Sequence, residues 1–156
     1  MKYYVESYGC TLNQGETEMF ADTFSDEKNE RVDSPSVADL AVIGTCVVIR
    51  KTEERMKRRI RDLKNKCDEI VITGCLTTTD IEEFEKEDNI RVITPSEIHM
   101  TQTCSSSLMG ILPISSGCVG NCSYCITKLA RGELESRDPE QIMKRLKSLL
   151  DSGNKE

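Results

Sequence analysis

Asp39-Leu40-Ala41-Val42-Ile43-Gly44 is a continuous apolar run of the kind that forms a strand buried on both faces, and it leads straight into Thr45-Cys46. From about residue 47 to residue 66 the period becomes helical. Ile49, Met56, Ile60, Leu63 and Cys67 fall on one narrow stripe, while Arg50, Lys51, Lys57, Arg58 and Arg61 spread over the flank and back. A strand followed by an amphipathic helix is half of a βαβ unit, and the other halves lie on either side. Lys2–Tyr8 (KYYVESY) is rich in strand formers and is followed by Gly9-Cys10; Glu69–Thr73 (EIVIT) is followed by Gly74-Cys75; Ile90–Ile93 reads as a fourth strand. Asn13, with Glu16 three residues on, is expected to cap a first helix whose apolar side is Met19, Phe20 and Phe24. Residues 25–37 read as loop with a short edge strand near Arg31-Val32, and Asp80–Glu87 as an acidic helix. Strands alternating with helices predict an α/β domain over residues 1–100, an open parallel sheet of the doubly wound type.

The rest of the chain reads as a different unit. Residues 101–110 are expected to be a linker. Ile111–Ser115 is strand-like, a cysteine-rich loop follows, and a helix with Pro139 at its first position runs to about Leu150. Its apolar face is Ile142, Leu146, Leu149 and Leu150. One strand, one loop and one helix cannot bury such a face alone. Residues 111–156 are therefore expected to dock onto the first domain or to aggregate.

Composition narrows the class. The chain has 156 residues, is 37% hydrophobic and 31% charged, and holds nine Gly and four Pro, which suits a packed core rather than a disordered tail. No apolar run approaches the roughly 18 residues of a membrane span, and Met1–Glu6 lacks the features of a signal peptide. Eight cysteines are the abnormal entry in the composition. In a reducing cytoplasm they point to metal binding or catalysis rather than to disulfides. The net charge of −6 argues against a chain that coats itself in nucleic acid, yet residues 50–66 alone carry nine basic and three acidic side chains. That block is expected either to touch RNA phosphates or to be the solvated face of its helix.

Cys118-Val119-Gly120-Asn121-Cys122-Ser123-Tyr124-Cys125 places three thiols at C-x3-C-x2-C spacing on one loop. Thiolates so spaced reach three corners of a small iron–sulfur cluster, and the missing fourth ligand leaves one iron open to bind something else. A zinc knuckle is the alternative, with Cys104 or His99 as the fourth ligand. The second set emerges once the strands are placed. Cys10, Cys46 and Cys75 each lie just past the end of a strand, and in a parallel sheet those ends share one edge, where ligands bind in open α/β folds. The first two helices are expected to start beside Cys10 and Cys46 and to favour the negative charge of a thiolate-bound cluster. Three buried structural thiols are the alternative. Cys67 falls on the apolar stripe and reads as a core thiol, and Cys104 has no evident partner. No Gly-x-Gly-x-x-Gly follows a strand, so a dinucleotide site is unsupported.

These residues resemble a known family. Tyr8-Gly9-Cys10-Thr11-Leu12-Asn13-Gln14, Thr45-Cys46 and Thr73-Gly74-Cys75 are similar to the N-terminal domain of the methylthiotransferases. Pro113–Cys118, Cys122-Ser123-Tyr124-Cys125 and Ala130-Arg131-Gly132 look like the opening of their radical S-adenosylmethionine domain. Thr11–Gln14 and Thr52–Arg55 are most similar to the archaeal and eukaryotic branch, which acts on N6-threonylcarbamoyladenosine beside the anticodon of tRNA. The resemblance implies two [4Fe-4S] clusters. One, on Cys118, Cys122 and Cys125, would bind S-adenosylmethionine and cleave it to a radical that abstracts hydrogen from C2 of the adenine, with Tyr124 against the cofactor. The other, on Cys10, Cys46 and Cys75, would present the sulfur to be methylated and inserted. It implies the tRNA anticodon stem-loop and an electron donor as partners, no membrane, and a cytoplasmic location; it leaves the oligomeric state unknown.

Two departures accompany the resemblance. Gly44 stands where relatives usually carry Asn, so an amide near the cluster is expected to be missing. The family's barrel needs roughly 200 residues, far more than follow residue 110, so 111–156 is expected to be only the first βα unit of an incomplete (β/α) barrel. The chain is accordingly expected to be a C-terminally truncated fragment without turnover of its own. The rival readings are a methylthiotransferase acting on isopentenyladenosine or on a ribosomal-protein Asp, and a non-catalytic iron–sulfur or zinc module.

Overall fold

The computed structural model describes residues 1–101 and 109–156. Five parallel strands form one sheet: β1 (Lys2–Ser7), β2 (Glu30–Val32), β3 (Leu40–Thr45), β4 (Glu69–Gly74) and β5 (Ile90–Val92), in the order β2-β1-β3-β4-β5. This is the doubly wound order in which the chain reverses direction across the sheet between β1 and β3. β3 is buried at every residue, as its unbroken apolar run requires.

Alternate residues of the central strands serve opposite layers. Leu40, Val42 and Val71 face Phe20 and Phe24, from helix α1 (Thr11–Ala21) and the turn after it. Ala41, Ile43, Ile70 and Ile72 face Met56, Ile60 and Leu63 of helix α2 (Arg50–Lys64), whose stripe is the one the sequence predicts. Cys67 closes that layer as a core thiol: it is buried, its Sγ donates to the Pro35 carbonyl at 3.2 Å, and burial pushes its pKa up.

Three local expectations are corrected. The first helix starts two residues before Asn13, with Cys10 as its N-cap and no side-chain cap bond. The predicted acidic helix at Asp80–Glu87 is a set of turns that buries Ile81 and Phe84; five acidic residues against one lysine give it no second turn. Helix α2 begins at Arg50, so Val47, Val48 and Ile49 separate it from Cys46 and its dipole does not start at that thiol.

The C-terminal region holds β6 (Ser115–Ser116), α3 (Ile126–Arg131), β7 (Glu135–Ser136) and α4 (Pro139–Asp151). Of the strand-like Ile111–Ser115, only the end pairs, antiparallel with β7 over two residue pairs. A strand needs a neighbour for its N–H and C=O groups, and among the described residues β7 is what this segment has. The expected docking takes place. A β-carbon on Gly15 of α1 would lie 2.4 Å from Ile111 Cγ2, and Leu149 of α4 is buried. Asp138 caps α4 by accepting from the Gln141 N–H at 3.0 Å. The linker expectation falls mostly on residues 102–108, and Cys104 with it, outside the described residues.

Candidate metal centre

The register of the sheet brings the N-terminal cysteines together. Thr45 pairs with Gly74, so Cys46 and Cys75 stand one step beyond the same rung, while Tyr8-Gly9-Cys10 leaves the adjoining β1. The three turns lie at the carboxyl edge, on the side of the β1–β3 reversal where open α/β sheets bind ligands. Cys46 and Cys75 are buried, with 9% and 8% exposure, and Cys10 is open to solvent. A β-carbon on Gly9 would approach the Cys46 sulfur to 3.1 Å. Burial pushes the Cys75 thiol pKa up, the nearby Cys46 and Cys10 thiols add to that, and the Arg131 guanidinium opposes it.

Hydrogen bonds lash these turns to one another. The Asn13 amide donates to the Tyr8 and Thr45 carbonyls, the latter at 3.1 Å. The Thr45 hydroxyl donates to the Thr73 carbonyl at 2.6 Å and accepts the Leu76 N–H at 3.2 Å. Gly74 adopts φ +89, and a β-carbon there would sit 2.4 Å from the Thr45 carbonyl oxygen and 2.6 Å from Asn13 Oδ1, so only glycine fits before Cys75.

The second set lies on the loop between β6 and α3. A β-carbon on Gly120 would meet the Cys118 and Cys122 sulfurs at 3.3 and 3.8 Å, and the Gly120 N–H donates to Cys118 Sγ. Cys125 is the N-cap of α3, and hydrogen bonds from the Thr127 hydroxyl and then its N–H hold the Cys125 thiol below the usual cysteine value. Gly117 (φ +85) lets the strand pass so close that a β-carbon would lie 1.8 Å from the Glu133 carbonyl oxygen. Lys128 ties the loop down by donating to the Cys118 carbonyl at 2.8 Å. Tyr124 is 90% exposed.

Both sets fit an iron–sulfur cluster by donor chemistry, since each offers thiols alone with a cation or N–H groups beside a sulfur. Among the described residues, no three His, Cys, Asp or Glu side chains converge closely enough to hold one metal ion. A cluster does not ask for that convergence, because each thiolate binds its own iron at a separate corner. His99, the alternative fourth ligand of a zinc site, is exposed beside Pro95, Ser116 and Arg137.

The basic block of α2 is largely spent on protein. Lys57 pairs with Asp80 and Glu53, Arg59 with Glu6 and Asp62, Arg61 with Glu83, Lys64 with Glu87 and Lys66 with Asp62. Arg55 lies over the Tyr8 ring, 5.4 Å from its centre.

Sequence reasoning missed the buried polar stripe of α1. Asn13, Glu16 and Thr17, spaced i, i+3 and i+4, read as a cap pattern but point inward, and all are buried. They account for Gly44, where a β-carbon would lie 2.0 Å from Thr17 Oγ1. Position 44 thus carries no amide and has no room for a side chain, while Asn13 brings an amide to the rim from α1. Arg131 stands out in the sequence only as part of Ala130-Arg131-Gly132. Nothing local in the sequence marks it as buried; the structure places it at the end of α3 beside the buried Ala130.

The chain is similar in sequence to known proteins. A protein of Methanocaldococcus jannaschii named a probable threonylcarbamoyladenosine tRNA methylthiotransferase is 36% identical, over 99% of this chain and 42% of its own length. One of the same name from Pyrococcus horikoshii is 29% identical over 100% of this chain and 44% of its own length. A tRNA-2-methylthio-N(6)-dimethylallyladenosine synthase of Fervidobacterium nodosum is 28% identical over 100% and 43%. The chain thus spans less than half the length of these curated relatives. The model described as "Uncharacterized protein family UPF0004" matches residues 2–95, which hold the whole five-stranded sheet and Cys10, Cys46 and Cys75. Because that match covers more than half of the chain, the protein belongs to the UPF0004 family, the N-terminal domain of methylthiotransferases.

Proposed function

We propose that this chain is the cluster-bearing N-terminal part of a radical S-adenosylmethionine methylthiotransferase that places a methylthio group on C2 of N6-threonylcarbamoyladenosine beside the anticodon of tRNA. The observation that carries the reading is the gathering of Cys10, Cys46 and Cys75 on one sheet edge, with Arg131, from the helix that begins at Cys125, against Cys75. Cys10, Cys46 and Cys75 would hold one [4Fe-4S] cluster, and Cys118, Cys122 and Cys125 the other. When bound, these clusters supply the electron that cleaves S-adenosylmethionine and the sulfur that is transferred.

The chain's own part is to hold its thiols in fixed turns, to exclude water from Cys46 and Cys75, and to leave the face around Tyr124 open for the cofactor. Residues 1–100 would form the domain carrying the first set and 111–156 the start of the domain carrying the second. The choice of substrate base is supported by the Methanocaldococcus and Pyrococcus relatives, both named as probable threonylcarbamoyladenosine tRNA methylthiotransferases. The tRNA anticodon stem-loop and an electron donor would be its partners, in the cytoplasm. None of the helices is long and apolar enough to cross a membrane among the described residues.

The test is electron paramagnetic resonance of the anaerobically reconstituted, reduced chain with and without S-adenosylmethionine. The cofactor is expected to alter one cluster signal. That response should vanish in C118A/C122A/C125A and persist in C10A/C46A/C75A. Spectra that ignore the cofactor in the wild-type chain overturn the reading.

A further inference from the structure

The two cysteine sets are connected through one buried side chain. Arg131 closes α3, whose first capping residue is Cys125, and its side chain is 3% exposed. Its Nε donates to Cys75 Sγ at 3.3 Å, its Nη2 to Asn13 Oδ1 at 3.0 Å, and its Nη1 to the Glu16 carboxylate. Glu16 is itself buried, with Arg137 as a second cation 3.9 Å away. The Asn13 amide is the group that also grips the Tyr8 and Thr45 carbonyls. The fork of one guanidinium thus reaches a sulfur of the first set, the clamp that fixes its three turns, and a fixed counter-charge. The Thr78 hydroxyl, three residues after Cys75, donates to the Ala130 carbonyl at 2.7 Å and seats the end of α3 on the same turn.

A buried guanidinium is costly unless its donors are used, and Lys could not serve three acceptors in these directions with one ammonium. Glu16 alone would neutralise the charge. The two remaining bonds, to a carboxamide and to a thiol, therefore call for a function beyond neutralisation.

Resting on the reading above, we infer that Arg131 is a positioning residue that makes the N-terminal cysteine set depend on the docked helix α3: it fixes the Cys75 sulfur and, through Asn13, the three turns that present Cys10, Cys46 and Cys75. The charge beside Cys75 also favours the more reduced, more negative state of a cluster held there. Docking of α3 and retention of the N-terminal cluster are then one event, carried by Arg131 and independent of whether the loop's own thiols are loaded.

The experiment isolates the first set by using the full chain with C118A/C122A/C125A, alone and combined with R131K or R131Q, each reconstituted anaerobically with iron and sulfide. The readouts are the rate of iron loss to a chelator and the midpoint potential of the remaining cluster, with thermal unfolding followed in parallel. In the R131K form, which keeps the buried charge opposite Glu16, chelator loss is expected to rise about tenfold or more, as for other residues that orient metal ligands. In R131Q the potential should also move to a more negative value. R131K showing unchanged chelator loss overturns the inference, whether or not R131Q folds. Failure of the triple-alanine parent to bind any cluster sinks the earlier assignment of the ligands instead, so the two failures are distinct.

Discussion

Arg145 Nη2 donates to Asp22 Oδ2 at 2.7 Å, with the two side chains 3% and 2% exposed, so the last helix is bonded to the end of the first across 123 positions of chain. The same guanidinium donates to the Thr101 hydroxyl at 2.7 Å and to its carbonyl at 3.1 Å. Together with Leu149 and Ile111, this pair turns an amphipathic helix that had no evident cover in the sequence into part of the folded body.

Removing one partner strands a buried charge. Asp22→Ala or Arg145→Ala is expected to cost about 3–5 kcal/mol, read as a lower urea midpoint. The paired change Asp22→Leu with Arg145→Met should cost much less than the sum of the single changes. Additive losses would mean that the pair is not coupled.

Gly44 is set by Thr17 rather than by a turn. Its β-carbon position lies 2.0 Å from Thr17 Oγ1 and 2.8 Å from Ser7 Oγ. Gly44→Ala is expected to destabilise by about 1–3 kcal/mol from overpacking, and Thr17→Ala in the same chain should recover part of that loss. A Gly44→Ala chain with wild-type stability in urea would show that α1 moves aside without cost.

Cys67 gives a pH dependence whose sign follows from its burial. Its folded-state pKa is raised, chiefly by desolvation, with Asp68 adding to it. The thiol is neutral in both states below the unfolded value of about 8.5, so its contribution is fully present there. Above that pH the unfolded chain loses the proton first, and stability falls as pH rises toward the folded value. Wild-type chain should therefore lose more stability between pH 8 and 10 than Cys67→Ala, measured in reducing buffer. Parallel curves would contradict the assignment of Cys67 to the core.

The sheet is legible because its central strands are marked by burial on both faces: DLAVIG and EIVIT are unbroken apolar runs, and one residue separates each from a cysteine. The positions of Cys10, Cys46 and Cys75 on one edge followed from parallel topology alone. What stayed hidden depends on partners distant in sequence. Asn13 and Glu16 have the spacing of a cap, and nothing local says that they face Thr45 and Arg131 instead. Asp80–Glu87 has Ile81 and Phe84 at helical spacing, yet the segment is too short and too acidic to sustain a helix. The basic block of α2 leaves RNA contact and a solvated face both open in the sequence, and only the fold brings Asp80, Glu83 and Glu87 opposite Lys57, Arg61 and Lys64.

The decisive quantity is iron and acid-labile sulfide per chain after anaerobic reconstitution, in the wild type, in C10A/C46A/C75A and in C118A/C122A/C125A. About eight irons in the wild type and about four in each variant are expected for two four-iron clusters on separate thiol sets. Unchanged iron in C10A/C46A/C75A, with all of it lost in C118A/C122A/C125A, would leave the sheet-edge cysteines as buried thiols and contradict a two-cluster centre.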